Sequence, residues 1–274
     1  MFGVVYLPHF ELQAALRQHA DWAGSPVALL DDAPSGSSKS RKCQIVQINS
    51  EAKQRGVSEG MTAPQGQARC EQIRFQTRSA AQEQISQDIL LQWNASITPN
   101  LEATRPGVCT VDLRGTAYDK GLEERWAHAC LKALAPLQLF PGIGIAATPD
   151  LALLAAQVAT PILKITAQAE ATQAFLHPFT IQALGAAPEI IHILNRWGIK
   201  TVGSLVKLPK QEVVRRLGKE CLPVWERAQG RHSRLLHHFQ PSSILTESMD
   251  LEEPIERLQA LIFILNRFLE QLTS

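Results

Sequence analysis

The sequence predicts an α+β protein in which a sheet domain with a small inserted lobe precedes a helical domain. Short apolar runs with strand character alternate with helical patterns over the first 150 residues. Residues 150 to 235 show helical patterns only, and they include the stretch LNRWGIKTVGSLVKLPKQEVVRRLG. With 274 residues, 45% of them hydrophobic and 19% charged, the chain is long enough to bury a sizeable core.

The first 75 residues predict an opening strand and a small α/β lobe. Strands are indicated where short apolar runs are bounded by Pro, Gly, Asn or Asp, and Asn49 is placed to cap a short helix that Gly56 ends. The predicted elements are the strand Phe2–Tyr6, a helix from Phe10 to Leu16, the strands Pro26–Asp32 and Cys43–Asn49 with a loop at Ala33–Lys42 between them, and the short helices Ser50–Arg55 and Ala63–Cys70.

The next 75 residues predict the rest of the sheet. Arg105-Pro106-Gly107 is a turn signal between two strand-like runs, so these runs should form an antiparallel hairpin. The predicted elements are the helix Ser79–Trp93, the strands Thr98–Thr104 and Val108–Leu113, the helix Leu122–Leu134 and the strand Gly142–Ala147. Their order is that of a split ferredoxin-like sheet with a lobe inserted near its start.

The end of the chain predicts one strand, Ser242–Met249, and one long helix, Pro254–Leu272, which has Pro in its first turn. One strand and one helix do not complete a sheet domain. We therefore expect a truncated α/β domain here.

Charge and cysteine content indicate where a nucleic-acid partner would bind and in which cellular compartment the protein is expected. The net charge is +1, but residues 196–234 hold ten Lys or Arg and three Glu, a local charge of +7. A nucleic-acid partner would therefore be met by this cluster. The five cysteines form no C-x-x-C pair, which predicts neither a zinc site nor a disulfide framework and favours a reducing, cytoplasmic setting. No apolar run approaches the ~20 residues of a membrane span.

The stretch WGIKTVGSL is typical of a helix-hairpin-helix, in which a glycine turn presents backbone N–H groups and lysines to DNA phosphates. Such binding does not depend on base sequence and weakens with salt. The alternative is a purely structural turn with a solvated basic face. The predicted DNA-binding residues are Gly198, Lys200, Thr201, Gly203, Lys207, Arg215, Arg216 and Arg231.

Catalytic carboxylates are missing from the places where the sheet could offer them. Two-metal phosphoryl transfer needs two or three converging acids, and neither Tyr6-Leu7-Pro8 nor Pro106-Gly107-Val108 contains one. Asp112 by itself predicts a turn-capping residue. His9 stands alone and is interpreted as structural or exposed. No catalytic residue, metal site or cofactor is predicted.

Two further motifs are weaker. GIGIAATPD at residues 142–150 lacks the Lys and the glycine spacing of a phosphate-binding loop. PLQLFPG at residues 136–142 loosely resembles the short Leu/Phe-ended peptides that dock on sliding clamps, but it has Pro where the leading Gln belongs and it enters a predicted core strand.

Taken in order, the elements and motifs resemble a Y-family, UmuC-type translesion DNA polymerase over nearly the whole chain. The motifs are INSEAKQRGVSEGMTAPQGQARC in the lobe, VDLRG and GIGIAATPDLALLAAQVATP in the sheet domain, and the glycine-turn stretch in the helical domain. The resemblance implies a palm at residues 1–9 and 76–150, fingers at 10–75, an all-helical thumb at 151–235 and the start of a little finger at 236–274.

The chain departs from the pattern of an active family member at each ligand position. Two acids at the exit of the first strand would fall on Tyr6 and Pro8, and an Asp-Glu pair would fall on Gly107 and Val108. The positions that hold the incoming triphosphate correspond to Ser50, Lys53 and Leu153. The resemblance therefore implies a pseudo-enzyme.

A degenerate member with Leu-Pro after its first strand resembles the ImuB-type proteins, non-catalytic partners in bacterial damage-induced mutagenesis. This resemblance implies binding to damaged or primed DNA. It also implies contacts with a sliding clamp, an error-prone C-family polymerase and an ImuA/RecA-like factor, mostly through regions beyond this chain. Two alternatives stay open: an active polymerase whose acids come from elsewhere, such as Glu11, Glu102 or Asp112, and a relic fold that serves only protein contacts.

Overall fold

A computed structural model describes residues 1–22, 24–31, 43–119, 121–240 and 258–273. The chain divides into two compact units, residues 1–239 and 240–274. The strands are β1 (Phe2–Tyr6), β2 (Val27–Leu30), β3 (Ile45–Ile48), β4 (Arg74–Thr77), β5 (Leu101–Arg105), β6 (Val108–Asp112), β7 (Gly142–Ala146) and β8 (Ile162–Lys164). The helices of the first unit are α1 (Phe10–Leu16), α2 (Ser50–Gln54), α3 (Ala63–Arg69), α4 (Ala80–Ala95), α5 (Glu123–Leu134), α6 (Pro149–Val158), α7 (Ala169–Leu176), α8 (Pro188–Arg196), α9 (Val202–Val206), α10 (Lys210–Leu217) and α11 (Leu222–Ala228).

The large sheet has the strand order β5-β6-β1-β7-β8, with β1 in the centre. β1 pairs antiparallel with both neighbours, so that Tyr6 lies opposite Val108 and Gly142. The continuous apolar run FGVVY suits this position because both faces of a central strand are covered. The predicted hairpin of β5 and β6 and the α+β fold class are confirmed.

The two faces of the large sheet pack against different helices. On one face Val5 and Leu7 join a cluster with Trp126 of α5 and Leu90 of α4. On the other face Phe2 and Val4 join a cluster that contains α6 and the helices that follow it. Alternate residues of β1 thus divide between two cores, as the period of a strand requires.

The small sheet has the order β3-β2-β4 and forms the inserted lobe. Asn49 organises this lobe, because its side-chain oxygen accepts the N–H groups of Val27 (2.9 Å) and Ala52 (3.0 Å), while its amide donates to the carbonyl of Ser25 (2.7 Å). The predicted cap of α2 is therefore confirmed, and the same side chain also ties α2 to β2.

Two strands were not predicted. β4 runs parallel to β2, and β8 runs parallel to β7. The prediction that residues 150–235 are all helical is wrong at β8, where Ile143 donates to the carbonyl of Pro161 (2.7 Å) and so extends the sheet. α6 packs on the same sheet, because Gly144 has no side chain to keep it away: a Cβ there would lie 2.1 Å from the carbonyl oxygen of Ala152. The predicted domain boundary at residue 151 therefore falls inside a helix of the sheet layer.

The second unit is described from residue 258 onward, where α12 (Leu258–Thr273) forms the predicted long helix. The predicted strand at Ser242–Met249, the predicted helix start at Pro254 and the predicted loop at Ala33–Lys42 lie outside the described residues. Within the described residues, no helix is long and apolar enough to cross a membrane.

Candidate nucleic-acid interface

The exit of β1 and the turn before β6 meet. The N–H of Leu7 donates to the carbonyl of Gly107 (2.8 Å), and Tyr6 lies opposite Val108 in the register. This is the place where the resemblance expects acids. Among the described residues no group of three His, Cys, Asp or Glu side chains is placed to hold a metal ion, here or elsewhere.

Apolar packing occupies this end of the sheet. Gly107 has φ of +72°, and a Cβ built on it would lie 2.7 Å from Cβ and from Cγ of Phe10. Phe10, Leu7 and Val108 are buried. The N–H of Gly107 donates to the side chain of Gln87 (2.8 Å). A side chain at position 107 has neither a favourable backbone conformation nor space.

The three acids considered as substitutes are engaged elsewhere. Asp112 accepts the backbone N–H of Arg114 (3.0 Å) and pairs with its guanidinium (2.6 Å), which confirms the turn-capping prediction. Glu102 accepts two hydrogen bonds from Arg234 (2.6 and 2.8 Å) and the N–H of His237 (2.8 Å). Glu11 accepts a hydrogen bond from Gln47 and lies 3.9 Å from Arg78.

Electrostatics keep two of these acids ionised. Burial by itself raises the pKa of Glu102, but the hydrogen bonds from Arg234 and His237 outweigh it and hold the pKa below its usual value. Burial likewise opposes the ionisation of Asp112, and the hydrogen bonds from Arg114 reverse the effect, so that its pKa is also lowered. Both carboxylates are satisfied by cations of this chain.

The positions that would hold a triphosphate do not line one cavity. Ser50 and Lys53 line a cleft of about 720 Å³ between α1 and the small lobe, together with His9. Leu153 lines a separate cavity of about 390 Å³ beside α6. His9, which is exposed with φ of 48°, precedes α1 without capping it through its side chain.

The glycine turn joins α8 and α9, as a helix-hairpin-helix requires, but its two glycines are structural. Gly198 (φ +76°) donates to the carbonyl of Asn195 (2.9 Å) and Ile199 donates to that of Leu194 (3.0 Å), which is the Schellman end of α8. Gly203 is buried in α9 and donates to the carbonyl of His177 (3.2 Å). The expectation that these two N–H groups are presented to phosphates is therefore wrong, because both already donate within the protein.

Other groups of the turn remain available. Lys200 and Lys207 are exposed, and within the described part of the chain neither makes an ion pair. The N–H groups of Lys200 and Thr201 donate to no backbone carbonyl among the described residues, whereas the hydroxyl of Thr201 caps α9 by accepting the N–H of Ser204 (3.2 Å). Lys200 in the turn and Lys207 at the end of α9 are therefore both available to a polyanion.

The remaining predicted residues divide into partnered and open side chains. Arg215 pairs with Glu212 (2.7 Å), and the guanidinium of Arg216 lies over the ring of Trp197 (5.7 Å to its centroid). Arg231 is exposed, and its backbone N–H donates to Glu226 (3.0 Å). DNA contacts by the eight predicted residues, other than through the N–H groups of Gly198 and Gly203, remain a prediction.

Sequence reasoning missed the role of Arg234. It counted Arg234 in the basic cluster, but the guanidinium bridges Glu102 of β5 and Asp150 of α6 (3.2 Å), and Asp150 also accepts from His232 (2.8 Å). No local pattern reveals a contact across 132 residues. The segment 231–239 is therefore tied to the sheet by its basic residues.

The clamp-like stretch is also structural. Leu139, the fourth residue of PLQLF, is fully buried. The side chain of Gln13 holds the neighbouring Phe140 through the backbone N–H (2.8 Å) and carbonyl (3.3 Å) of Phe140. A peptide that docks on another protein needs its apolar side chains accessible. Only Leu137 and Phe140 are exposed here.

Comparisons with known proteins agree with this architecture. A sequence model of the impB/mucB/samB family matches residues 5–157. A DNA polymerase IV from Shewanella oneidensis is 25% identical over 224 residues, which cover 80% of this chain and 60% of that protein. A DNA polymerase IV from Oceanobacillus iheyensis is 23% identical over 249 residues, which cover 87% of this chain and 58% of that protein. The chain thus spans about 60% of the length of these relatives.

Solved structures share the fold. An insertion ternary complex of Dbh DNA polymerase superposes with a TM-score of 0.71 at 18% identity, covering 86% of this chain and 69% of that one. The crystal structure of DinB from Sulfolobus solfataricus superposes with a TM-score of 0.67 at 16% identity, covering 87% of this chain and 70% of that one. At these identities the likeness is one of fold.

Proposed function

Because the chain belongs to the impB/mucB/samB family, we propose that it is a non-catalytic, DNA-binding adaptor in translesion synthesis and DNA repair. The observation that carries this proposal is the packing of Phe10 against Gly107, where the resemblance expects a carboxylate. Phosphoryl transfer depends almost wholly on positioned metal ions and charge. A sheet end closed by an aromatic ring has no place for them.

An active polymerase is the second candidate, and the relatives named DNA polymerase IV favour it. This candidate needs substitute acids at the exit of β1. Asp112 lies opposite Phe2, at the far end of the strand from Tyr6 and Val108, which is about 13 Å away at ~3.3 Å per residue. Glu102 would have to give up Arg234. The geometry therefore supports the adaptor over the enzyme.

DNA binding at the thumb is supported by charge. The local charge of +7 over residues 196–234 contrasts with +1 for the whole chain. Arg234 and Arg227 of this cluster face Asp150, and Arg215 faces Glu212. Five cations of the cluster make no ion pair among the described residues: Arg196, Lys200, Lys207, Lys219 and Arg231. Lys200 lies in the turn and Lys207 follows it, and we propose this surface as the contact with the DNA backbone.

The protein partners follow from the resemblance to ImuB-type proteins. We propose a sliding clamp, an error-prone C-family polymerase and an ImuA/RecA-like factor as partners, reached mostly through regions that this chain does not include. A cytoplasmic setting, without a cofactor of its own, belongs to the same proposal.

One experiment separates the three functions. Primer extension on a primed template with Mg²⁺ or Mn²⁺ is run beside a DNA-binding titration at low salt. The adaptor predicts binding without extension above background. Extension that Asp112→Asn abolishes, and the exposed control Glu71→Gln does not, would establish the polymerase instead. Absence of both binding and extension would leave a fold that serves only protein contacts.

A further inference from the structure

A small apolar groove lies between the glycine turn and α10. Its volume is about 290 Å³, just below the range of sites for drug-sized ligands, so that it suits one ring system. The side chains of Ile199, Leu208 and Val213 line it, and Trp197 and Arg216 border it. Trp197 is 38% exposed, which is unusual for an indole inside a short structural turn.

Trp197 and Arg216 present two planar groups to each other across this groove. The guanidinium carbon of Arg216 is 5.7 Å from the centre of the indole ring. A base inserted between the two groups would have to displace the guanidinium from the face of the indole. The side chain of Arg216 is 60% exposed, so it can swing away from the indole without disturbing the core.

Charge around the groove selects an anionic occupant. Lys200 and Lys207 make no ion pair within the part of the chain that the structure describes. Lys200 directly follows the lining residue Ile199, and Lys207 directly precedes the lining residue Leu208. Glu212 also lines the groove, but Arg215 (2.7 Å) and Arg216 (3.8 Å) neutralise it. An occupant that combines negative charge with a flat apolar group fits both properties.

We propose that one unstacked base of single-stranded DNA inserts between Trp197 and Arg216, while its flanking phosphates lie against Lys200 and Lys207. This site rests on the DNA binding proposed above and adds a preference for unpaired strand. Aromatic rings and guanidinium planes both stack on bases without regard to sequence. In a duplex each base is already stacked and paired, so the groove would be reached only at the cost of extruding it.

The test compares Trp197→Ala, Trp197→Phe and the wild-type chain on three labelled probes at one salt concentration. The probes are a 12-nucleotide oligothymidine, an abasic strand of the same length, and a 12-base-pair duplex. Fluorescence anisotropy gives the affinities, and thermal unfolding shows whether each variant folds. Trp197→Phe keeps an aromatic face on which a base can stack. It therefore still tests the site if Trp197→Ala proves to unfold the turn.

We expect Trp197→Ala to weaken oligothymidine binding roughly 5- to 150-fold, with duplex binding changed less than twofold. Trp197→Phe should recover most of the loss, and the wild type should bind the abasic strand about as weakly as Trp197→Ala binds oligothymidine. Equal oligothymidine affinity for wild type and a folded Trp197→Ala variant would overturn the site while leaving backbone binding intact. If the wild type binds none of the probes, the proposed DNA binding itself fails.

Discussion

Two glycines in this molecule share a backbone conformation and differ in everything around it. Gly107, at the exit of the central sheet, has φ of 72°, and Gly198, at the end of α8, has φ of 76°. A Cβ on Gly107 would meet Phe10, whereas a Cβ on Gly198 would meet nothing within 4 Å. The sheet end is closed by packing, and the turn stays open to solvent beside Lys200. At the sheet end, where the resemblance expects carboxylates, the side chains of this chain form a packed core. At the turn, where we propose contact with DNA, an accessible cationic surface remains.

Alanine at each glycine should separate packing from backbone strain. Both substitutions force an L-residue into the left-handed region, at a cost of about 1–2 kcal/mol. Only Gly107→Ala also collides with Phe10, and such overpacking costs typically ~1–3 kcal/mol more. We expect the free energy of unfolding in urea to fall by about 2–5 kcal/mol for Gly107→Ala and about 1–2 kcal/mol for Gly198→Ala. Equal losses would mean that Phe10 yields freely and that the sheet end is not closed.

Arg234→Ala should show how differently the two regions use their cations. Arg234 is the partner of Glu102, whose side chain is only 6% exposed, and removing it leaves a buried carboxylate whose remaining hydrogen bonds come from His237 and Thr104. The expected loss of unfolding free energy is about 1–3 kcal/mol. Arg215→Ala is the matched control, because that side chain is 71% exposed and its pair with Glu212 should contribute less than ~1 kcal/mol. A larger loss for Arg215→Ala would reverse the comparison.

Acid should destabilise the sheet domain through the same carboxylates. The folded-state pKa values of Glu102 and Asp112 are lowered, so their stabilisation is complete above the unfolded values of about 4 and is lost as pH falls through the folded values. Unfolding free energy measured between pH 6 and pH 2 should fall at the acid end. Glu102→Gln should flatten that fall, and its loss near neutral pH should be smaller than that of Arg234→Ala because the amide oxygen still accepts from Arg234. An unchanged acid slope in Glu102→Gln would contradict the assignment.

The elements with strong local patterns were predictable from the sequence, and those that depend on distant partners were not. β1 and the cap at Asn49 follow from an apolar run and a capping residue. β8 has three residues and exists because β7 offers it hydrogen bonds in parallel register. Its sequence alone, next to helical patterns, favours a helix or a loop.

The candidate site shows the same division. The lack of an acid at the exit of β1 and in the turn before β6 could be read directly from residue types, and so could the basic cluster. That acids are expected there is implied by the family resemblance. The contacts that each cation makes could not be predicted, because Arg234 pairs with a carboxylate 132 positions earlier in the chain, whereas Lys200 faces solvent. The prediction that the N–H of Gly203 is presented to phosphates was wrong for a related reason. A glycine in a turn motif signals close approach, but only the structure shows that the approaching group is His177 of this chain.

The smallest effect on folding, and the most informative one for function, should come from the open lysines. Lys200→Ala with Lys207→Ala should change the unfolding free energy by less than ~0.5 kcal/mol, because both side chains are exposed. If each meets one phosphate, the slope of log affinity against log salt for primed DNA should become shallower by roughly two. The control is Lys210→Ala with Arg215→Ala, which removes the same charge from residues already paired with Glu226 (3.6 Å) and Glu212 (2.7 Å). Cations that are already paired with carboxylates neutralise fewer phosphates, so fewer counterions leave the DNA on binding. The slope of the control variant should therefore change by less. Equal changes in the two double variants would show that DNA is attracted by the summed positive charge of the thumb and does not contact the turn specifically. The contrast between the turn and the closed sheet end would then rest on packing alone.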